Sequence, residues 1–229
     1  MTVGMAAVPA LGDAPSTQPR VKFATVKGTA GVIEVDDPAG KPYRDAFGSF
    51  YEHIAKGEAV EAKALFVGSA AEERFIEAFA EACAATRQMS DAAIAYYEGQ
   101  VEADMIRRSL DLSNSVMLKK AGLGSYDPVI VAQHPNGGLA VSAPPMYHLY
   151  ESLDAVQDRD GTIQIVSLFD HDDAKAEAAT ERLRKAATAA NQLTKMLDED
   201  KSISPARFRE AAEVVHVNAF TKAEADINE

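Results

Sequence analysis

Residues 129–142 read VIVAQHPNGGLAVS, in which two short apolar runs flank a Pro-Asn-Gly-Gly segment. Asn-Gly readily adopts positive φ, which a tight turn between antiparallel strands requires. The stretch therefore predicts a β-hairpin with strands at 129–132 and 139–143.

Two further strands are predicted after this hairpin. The run from Met146 to about Val156 is a candidate third strand, the polar sequence QDRDG at 157–161 predicts a turn, and residues 162–169 predict a fourth strand. Four strands joined by tight turns form an antiparallel meander. A sheet this small needs a helix packed on one face to be stable.

Helical spacing of apolar residues dominates on both sides of the meander. It predicts helices at 43–56, 58–66, 70–98 and 101–121, and a long helix at 170–197. A last helix is predicted from Ser204-Pro205, an N-cap serine with proline at the first helical position. The predicted fold class is α+β, with N-terminal helices, a small antiparallel meander and two C-terminal helices.

Domain organisation is predicted as a leader and linker at 1–42, one α+β domain at 43–220 and an acidic tail at 221–229. One or two short strands are expected within 21–35. The apolar start MTVGMAAVPALG resembles the end of a secretory signal, with small residues before a cut after Gly12, although a basic n-region is missing. If residues 1–12 are the end of a signal peptide, the protein is expected to be periplasmic or secreted. Otherwise it is expected to be cytoplasmic.

The charge balance restricts the classes of partner. The chain has 35 acidic and 23 basic residues and a formal net charge of −12, so nucleic acid and anionic membrane surfaces are disfavoured. Membrane insertion is not predicted, since no apolar run approaches about 20 residues. The expected partner is a protein or a small molecule. Self-association is a further expectation, through a seam of small residues on helix 176–197 that allows close approach.

No metal or cofactor site is predicted. Cys83 is the only cysteine, no two histidines have the i, i+4 spacing of a helical zinc site, and glycine-rich phosphate loops are absent. The calcium-like sequence at 158–161 lacks ligands at the first and last positions of that pattern.

His148 is the candidate catalytic residue. In the predicted third strand, alternation places His148 and Tyr150 on one face and Tyr147, Leu149 and Glu151 on the other. If the His148 face lined a concave sheet, a neutral imidazole could act as a base, and an Asp or Glu partner would be expected within hydrogen-bond reach.

Two stretches carry a family resemblance. The sequence AKGEAVEAKALF at 55–66 resembles the opening helices, and DAVQDRDGTIQIV at 154–166 the closing hairpin, of cone-shaped cystatin-like domains of the nuclear transport factor two-like class. The chain departs from that class in its long second helical region and its two C-terminal helices. It also resembles uncharacterised bacterial exported proteins with the same helix-then-meander order. Neither resemblance implies an activity or a catalytic residue.

Two functional hypotheses follow from these observations. The first is a non-catalytic binding or interaction protein. The alternative is a small acid–base enzyme of hydrolase or isomerase type, with a pocket between the curved sheet and the helices.

Overall fold

The computed structural model describes residues 32–33, 38–123, 129–133, 139–146, 148–157, 160–199 and 202–221. The helices within these ranges are α1 (Lys41–Lys56), α2 (Ala59–Ala64), α3 (Ala70–Tyr96), α4 (Ala103–Leu110), α5 (Leu112–Leu123), α6 (Asp173–Glu199) and α7 (Pro205–Phe220). The strands are β1 (Val32–Ile33), β2 (Val129–Gln133), β3 (Leu139–Ser142), β4 (Asp154–Gln157) and β5 (Ile163–Ser167). This is the predicted α+β fold, with helices before and after an antiparallel sheet. The predicted signal segment and most of the acidic tail lie outside the described residues.

The sheet has the strand order β1-β2-β3-β4-β5, and every pairing is antiparallel. In its central register Val131 pairs with Val141, and Val141 pairs in turn with Ala155. The predicted meander is therefore confirmed. β1 falls within the region where short strands were expected, and it extends the meander by pairing Val32 with Ile130.

The third strand is much shorter than predicted. It begins only at Asp154, because Pro144 and Pro145 follow β3 and have no backbone N–H with which to continue a ladder. The chain turns instead: the backbone N–H groups of Leu149 and Tyr150 both donate to the Met146 carbonyl, at 2.7 and 2.9 Å. The predicted strand alternation around His148 is consequently wrong.

The single helix predicted at 101–121 is in fact two helices that meet at Asp111. This residue has an extended backbone (φ −96°, ψ 100°) and is almost fully buried. Its Oδ1 accepts hydrogen bonds from the Ser113 hydroxyl at 2.6 Å and the Asn114 N–H at 3.2 Å. The carboxylate thus caps α5, and this local capping wins over continuation of α4.

The two longest helices, α3 and α6, pack side by side and run parallel. Arg74 and Glu177 form an ion pair of 2.8 Å near the two N-termini, and the Tyr97 hydroxyl donates to the Ile203 carbonyl just beyond the two C-termini. The small-residue seam of α6 is buried within the chain: Ala176, Ala179, Leu183, Ala186, Ala190, Leu193 and Leu197. Self-association through this seam stays a prediction, and it would require a neighbouring helix to move away.

Buried Glu72 joins the N-terminus of α3 to the end of the sheet. Its Oε1 accepts from the backbone N–H groups of Leu168 and Phe169 at 2.8 and 3.2 Å, while Oε2 accepts from the Ser69 N–H at 3.2 Å. Three donors satisfy a carboxylate that has no exposed surface. None of the described helices combines the length and the apolarity needed to cross a bilayer.

Candidate functional site: a groove between α4 and α7

A cavity of about 460 Å³ with mainly apolar walls lies between α4 and α7. We call it the α4–α7 groove. Its lining residues come from both helices and from the segment that ends α3: Tyr97, Val101, Met105, Ile106, Ser109, Leu110, Pro205, Phe208, Arg209, Ala212, Glu213 and His216. Ligand sites of small molecules typically enclose roughly 300–1,000 Å³ with mainly apolar walls. The groove therefore has the size and lining of a small-molecule site.

The groove is open because α4 is short and ends at Asp111, where the chain turns into α5. Ile106 is buried, whereas Met105 on the same helix keeps 49% of its surface exposed. On α7, Phe208 and Ala212 face inward and are buried. Apolar side chains thus line a concave surface without filling it, and this is the arrangement that an apolar ligand requires.

Polar groups of the groove are few and come mainly from α7. Arg209 and Glu213 stand four residues apart on α7, and no described residue forms an ion pair with either. The third group is His216, whose Nδ1 lies 3.2 Å from the Ser109 carbonyl oxygen. Because a carbonyl only accepts, Nδ1 carries the hydrogen in this contact, and in that tautomer Nε2 is an acceptor.

Tyr97 forms one end of the groove and is held rigidly. Its hydroxyl donates to the carbonyl oxygens of Ile203 and Ser204, at 3.1 and 3.3 Å, and its ring packs against Phe208. Burial raises the pKa of the Tyr97 phenol, with the neighbouring Tyr96 adding to the shift. Tyr97 is therefore a neutral hydrogen-bond donor that joins α3 to the start of α7.

A second cavity of about 570 Å³ lies next to the groove, and the two cavities share Tyr97 and Pro205 as lining residues. Its walls are more polar than those of the groove and include the C-terminal end of α6. It is lined by Tyr96, Tyr97, Gln100, Leu197, Asp198, Ser202, Ile203, Ser204 and Pro205.

His148, the residue that sequence reasoning selected, lines neither of these cavities. It lies in the turn before β4, partly buried, and its Nε2 is buried with no described hydrogen-bond partner. Burial lowers the pKa of His148 to about 4, with Arg182 and Lys119 contributing positive charge. No described carboxylate lies within hydrogen-bond reach of Nε2, so the predicted base with its acidic partner is not assembled here.

The ring of Phe220 links His148 to His216, which lines the groove. The rings of His148 and Phe220 have centroids 6.5 Å apart, those of Phe220 and His216 are 5.6 Å apart, and both pairs are inclined by only 17°. Arg182 reinforces this end of the molecule, because its guanidinium donates to the carbonyl oxygens of His148 and Thr221. The His148 turn therefore supports the C-terminal end of α7.

Other chemically reactive groups lie away from the groove. Cys83 is fully buried, and burial together with nearby Asp111 raises the pKa of its thiol, which leaves it protonated and sheltered. Among the described residues, no group of three or more His, Cys, Asp and Glu side chains is placed to hold a metal ion.

Sequence reasoning missed the groove residues. Helical spacing places Phe208 and Ala212 on one face of the last helix, and both are buried, but this spacing does not reveal a gap next to a second helix. The available signal was the Asp-Leu-Ser-Asn sequence at 111–114, which has a capping residue followed by polar residues and so indicates a helix start. An N-cap at Asp111 predicts that the preceding helix ends before this residue, and a shorter α4 leaves space beside α7.

The chain matches no family model, no curated protein and no solved structure.

Proposed function

We propose that this protein is a non-catalytic binding protein and that the α4–α7 groove holds a small, largely apolar molecule. The observation that carries the proposal is the groove itself, about 460 Å³ of space between apolar side chains of two helices. Filling it would remove from water the exposed surface of Met105 and the remaining exposed parts of Val101 and Leu110. Burial of apolar surface is worth about 25 cal/mol per Å², which makes such a site favourable for an apolar ligand.

The groove also offers one ring for recognition of a polar group on the ligand. His216 lines the groove, and its Nδ1 lies 3.2 Å from the Ser109 carbonyl oxygen, which orients the ring. With the hydrogen on Nδ1, Nε2 can accept a hydrogen bond from a ligand, and this supports binding.

The test uses Nile red, an uncharged dye whose emission increases and shifts when it enters an apolar site. We expect saturable binding to the intact chain, and a loss of about tenfold or more in affinity in S109W. Ser109 is exposed at the groove, so an indole there would occupy the ligand space while the backbone carbonyl still bonds to His216.

The matched control is D104W, which adds the same indole to an exposed position of α4 outside the groove lining. It should bind Nile red as the unmodified chain does. Equal binding by all three proteins, or no saturable binding at all, would refute the groove as the site. Unchanged far-UV circular dichroism and unfolding midpoints establish that each variant is folded.

A further inference from the structure

We propose that the groove selects an uncharged amphiphile whose polar end both donates and accepts hydrogen bonds, as a hydroxyl or an amide does, through Arg209 and Glu213. This inference rests on the proposed function and specifies the ligand class for the same site. Two observations carry it. The two charged residues of the groove lining have opposite signs, and neither has an ion-pair partner among the described residues.

The spacing of Arg209 and Glu213 on α7 determines which head groups the groove accepts. Residues four apart on a helix lie on the same face with Cβ atoms roughly 5–6 Å apart, so a head group bound near Arg209 is also close to Glu213. An anion attracted by the guanidinium is repelled by the carboxylate one turn away. A cation attracted by Glu213 is repelled by Arg209 in the same way. The groove lining therefore has no net charge to hold an ion.

The energetics favour a neutral head group over either ion. An exposed ion pair contributes about 0–1 kcal/mol even when nothing opposes it. An ionic head group would also lose hydration on entering an apolar groove, and burying a charge is costly unless it is fully paired. A hydroxyl avoids both costs, because it accepts from the Arg209 guanidinium and donates to the Glu213 carboxylate at the same time. Each protein charge thereby gains a partner.

The walls of the groove fit an apolar body on such a head group. Met105 and Phe208 provide the apolar wall along α4 and α7. An unbranched chain can lie along this wall while its polar end reaches the two charges on α7.

The experiment compares three probes with the same eight-carbon chain: octanol, octanoate and octylammonium. Displacement of Nile red at neutral pH gives their relative affinities. We expect octanol to bind about threefold or more tighter than either ion. In E213Q the octanoate affinity should rise relative to octanol, and in R209Q the octylammonium affinity should rise relative to octanol.

The control is E210Q, which removes an exposed charge from the same helix outside the groove lining. It should leave the order of the three affinities unchanged. An ion that binds the unmodified chain at least as well as octanol, or an order that neither R209Q nor E213Q changes, would overturn the selection while leaving the groove a binding site. If Nile red binds in the groove and none of the probes displaces it, the inference also fails. Absence of Nile red binding would instead remove the proposed function, and the selection with it.

Discussion

The hydroxyl oxygens of Tyr51 and Tyr150 lie 2.8 Å apart in the core, where both side chains are almost completely buried. Burial raises the pKa of the Tyr150 phenol well above its usual value, with Tyr51 as the next cause. The ring of Tyr150 also packs against Phe75 and Phe79 of α3. One polar contact thus links α1 to the turn before β4 within an otherwise aromatic cluster.

Replacing either tyrosine by phenylalanine should destabilise the fold by about 1–3 kcal/mol, because the remaining hydroxyl loses a partner in a buried site. The double variant Y51F/Y150F should cost less than the sum of the single changes. Urea unfolding of the unmodified chain, the two single variants and the double variant gives the four free energies of a double-mutant cycle. Strictly additive costs would show that the two hydroxyls do not stabilise each other.

Glu72 offers a second test of the core. We expect E72Q to lower the free energy of unfolding by about 2–4 kcal/mol, since an amide replaces one of the two oxygens that accept three backbone N–H groups. The matched control is E73Q, at an exposed position next in sequence, which should change stability by less than about 0.5 kcal/mol. Similar effects at both positions would contradict a structural role for the buried carboxylate.

The lowered pKa of His148 predicts a pH dependence of stability. The ordinary value is 6.5 and the folded value is about 4, so between these pH values the unfolded chain binds more protons than the folded chain. The free energy of unfolding should therefore fall as the pH is lowered from about 6.5 to 4. The contribution of this residue is at most about 3 kcal/mol.

The variant H148F isolates that contribution. Phenylalanine keeps a ring beside Phe220 but does not titrate, so the variant should lose less stability than the unmodified chain over the same pH window. Chemical unfolding at a series of pH values measures both curves. Parallel curves from pH 7 to 4 would show that His148 is not held in its neutral form.

Two glycines with positive φ allow the cost of a left-handed backbone to be measured apart from the cost of steric crowding. Gly57 ends α1 with φ 82°, and a Cβ there would lie 3.1 Å from that of Ala84, whereas Gly99 has φ 74° and open space around it. G99A should cost about 1–2 kcal/mol from the left-handed backbone alone. G57A should cost about 1 kcal/mol more, because Ala84 must also move. Thermal unfolding of the two variants compares these costs, and equal losses would contradict the close packing of α1 on α3.

The sheet could be predicted because its determinants are local. Pro135 to Gly138 separate two apolar runs of matching length, and the observed pairing of Val131 with Val141 follows from that spacing. His148 was misplaced because an alternating pattern also occurs in irregular segments. Pro144 and Pro145 carried the deciding information, since they remove the donors on which a continuing strand depends.

The groove could not be predicted in the same way. Met105 and Phe208 are about a hundred residues apart, and each periodic pattern reports only which face of its own helix points inward. Whether two such faces touch or leave a space depends on where α4 ends and how α7 docks on α6. The end of α4 is set locally by Asp111, whereas the docking of α7 is set by tertiary contacts such as the bonds from the Tyr97 hydroxyl to Ile203 and Ser204.

The parallel pairing of α3 with α6 affects how the chain can be made. Arg74 and Glu177 are 103 residues apart, so the ribosome completes the apolar face of α3 long before it makes the helix that covers it. Throughout that interval the part of α3 that packs against α6 stays uncovered, and uncovered apolar surface promotes aggregation. A nascent chain that stops before α6 should consequently depend on chaperones, whereas a chain that includes α6 covers this part of its core.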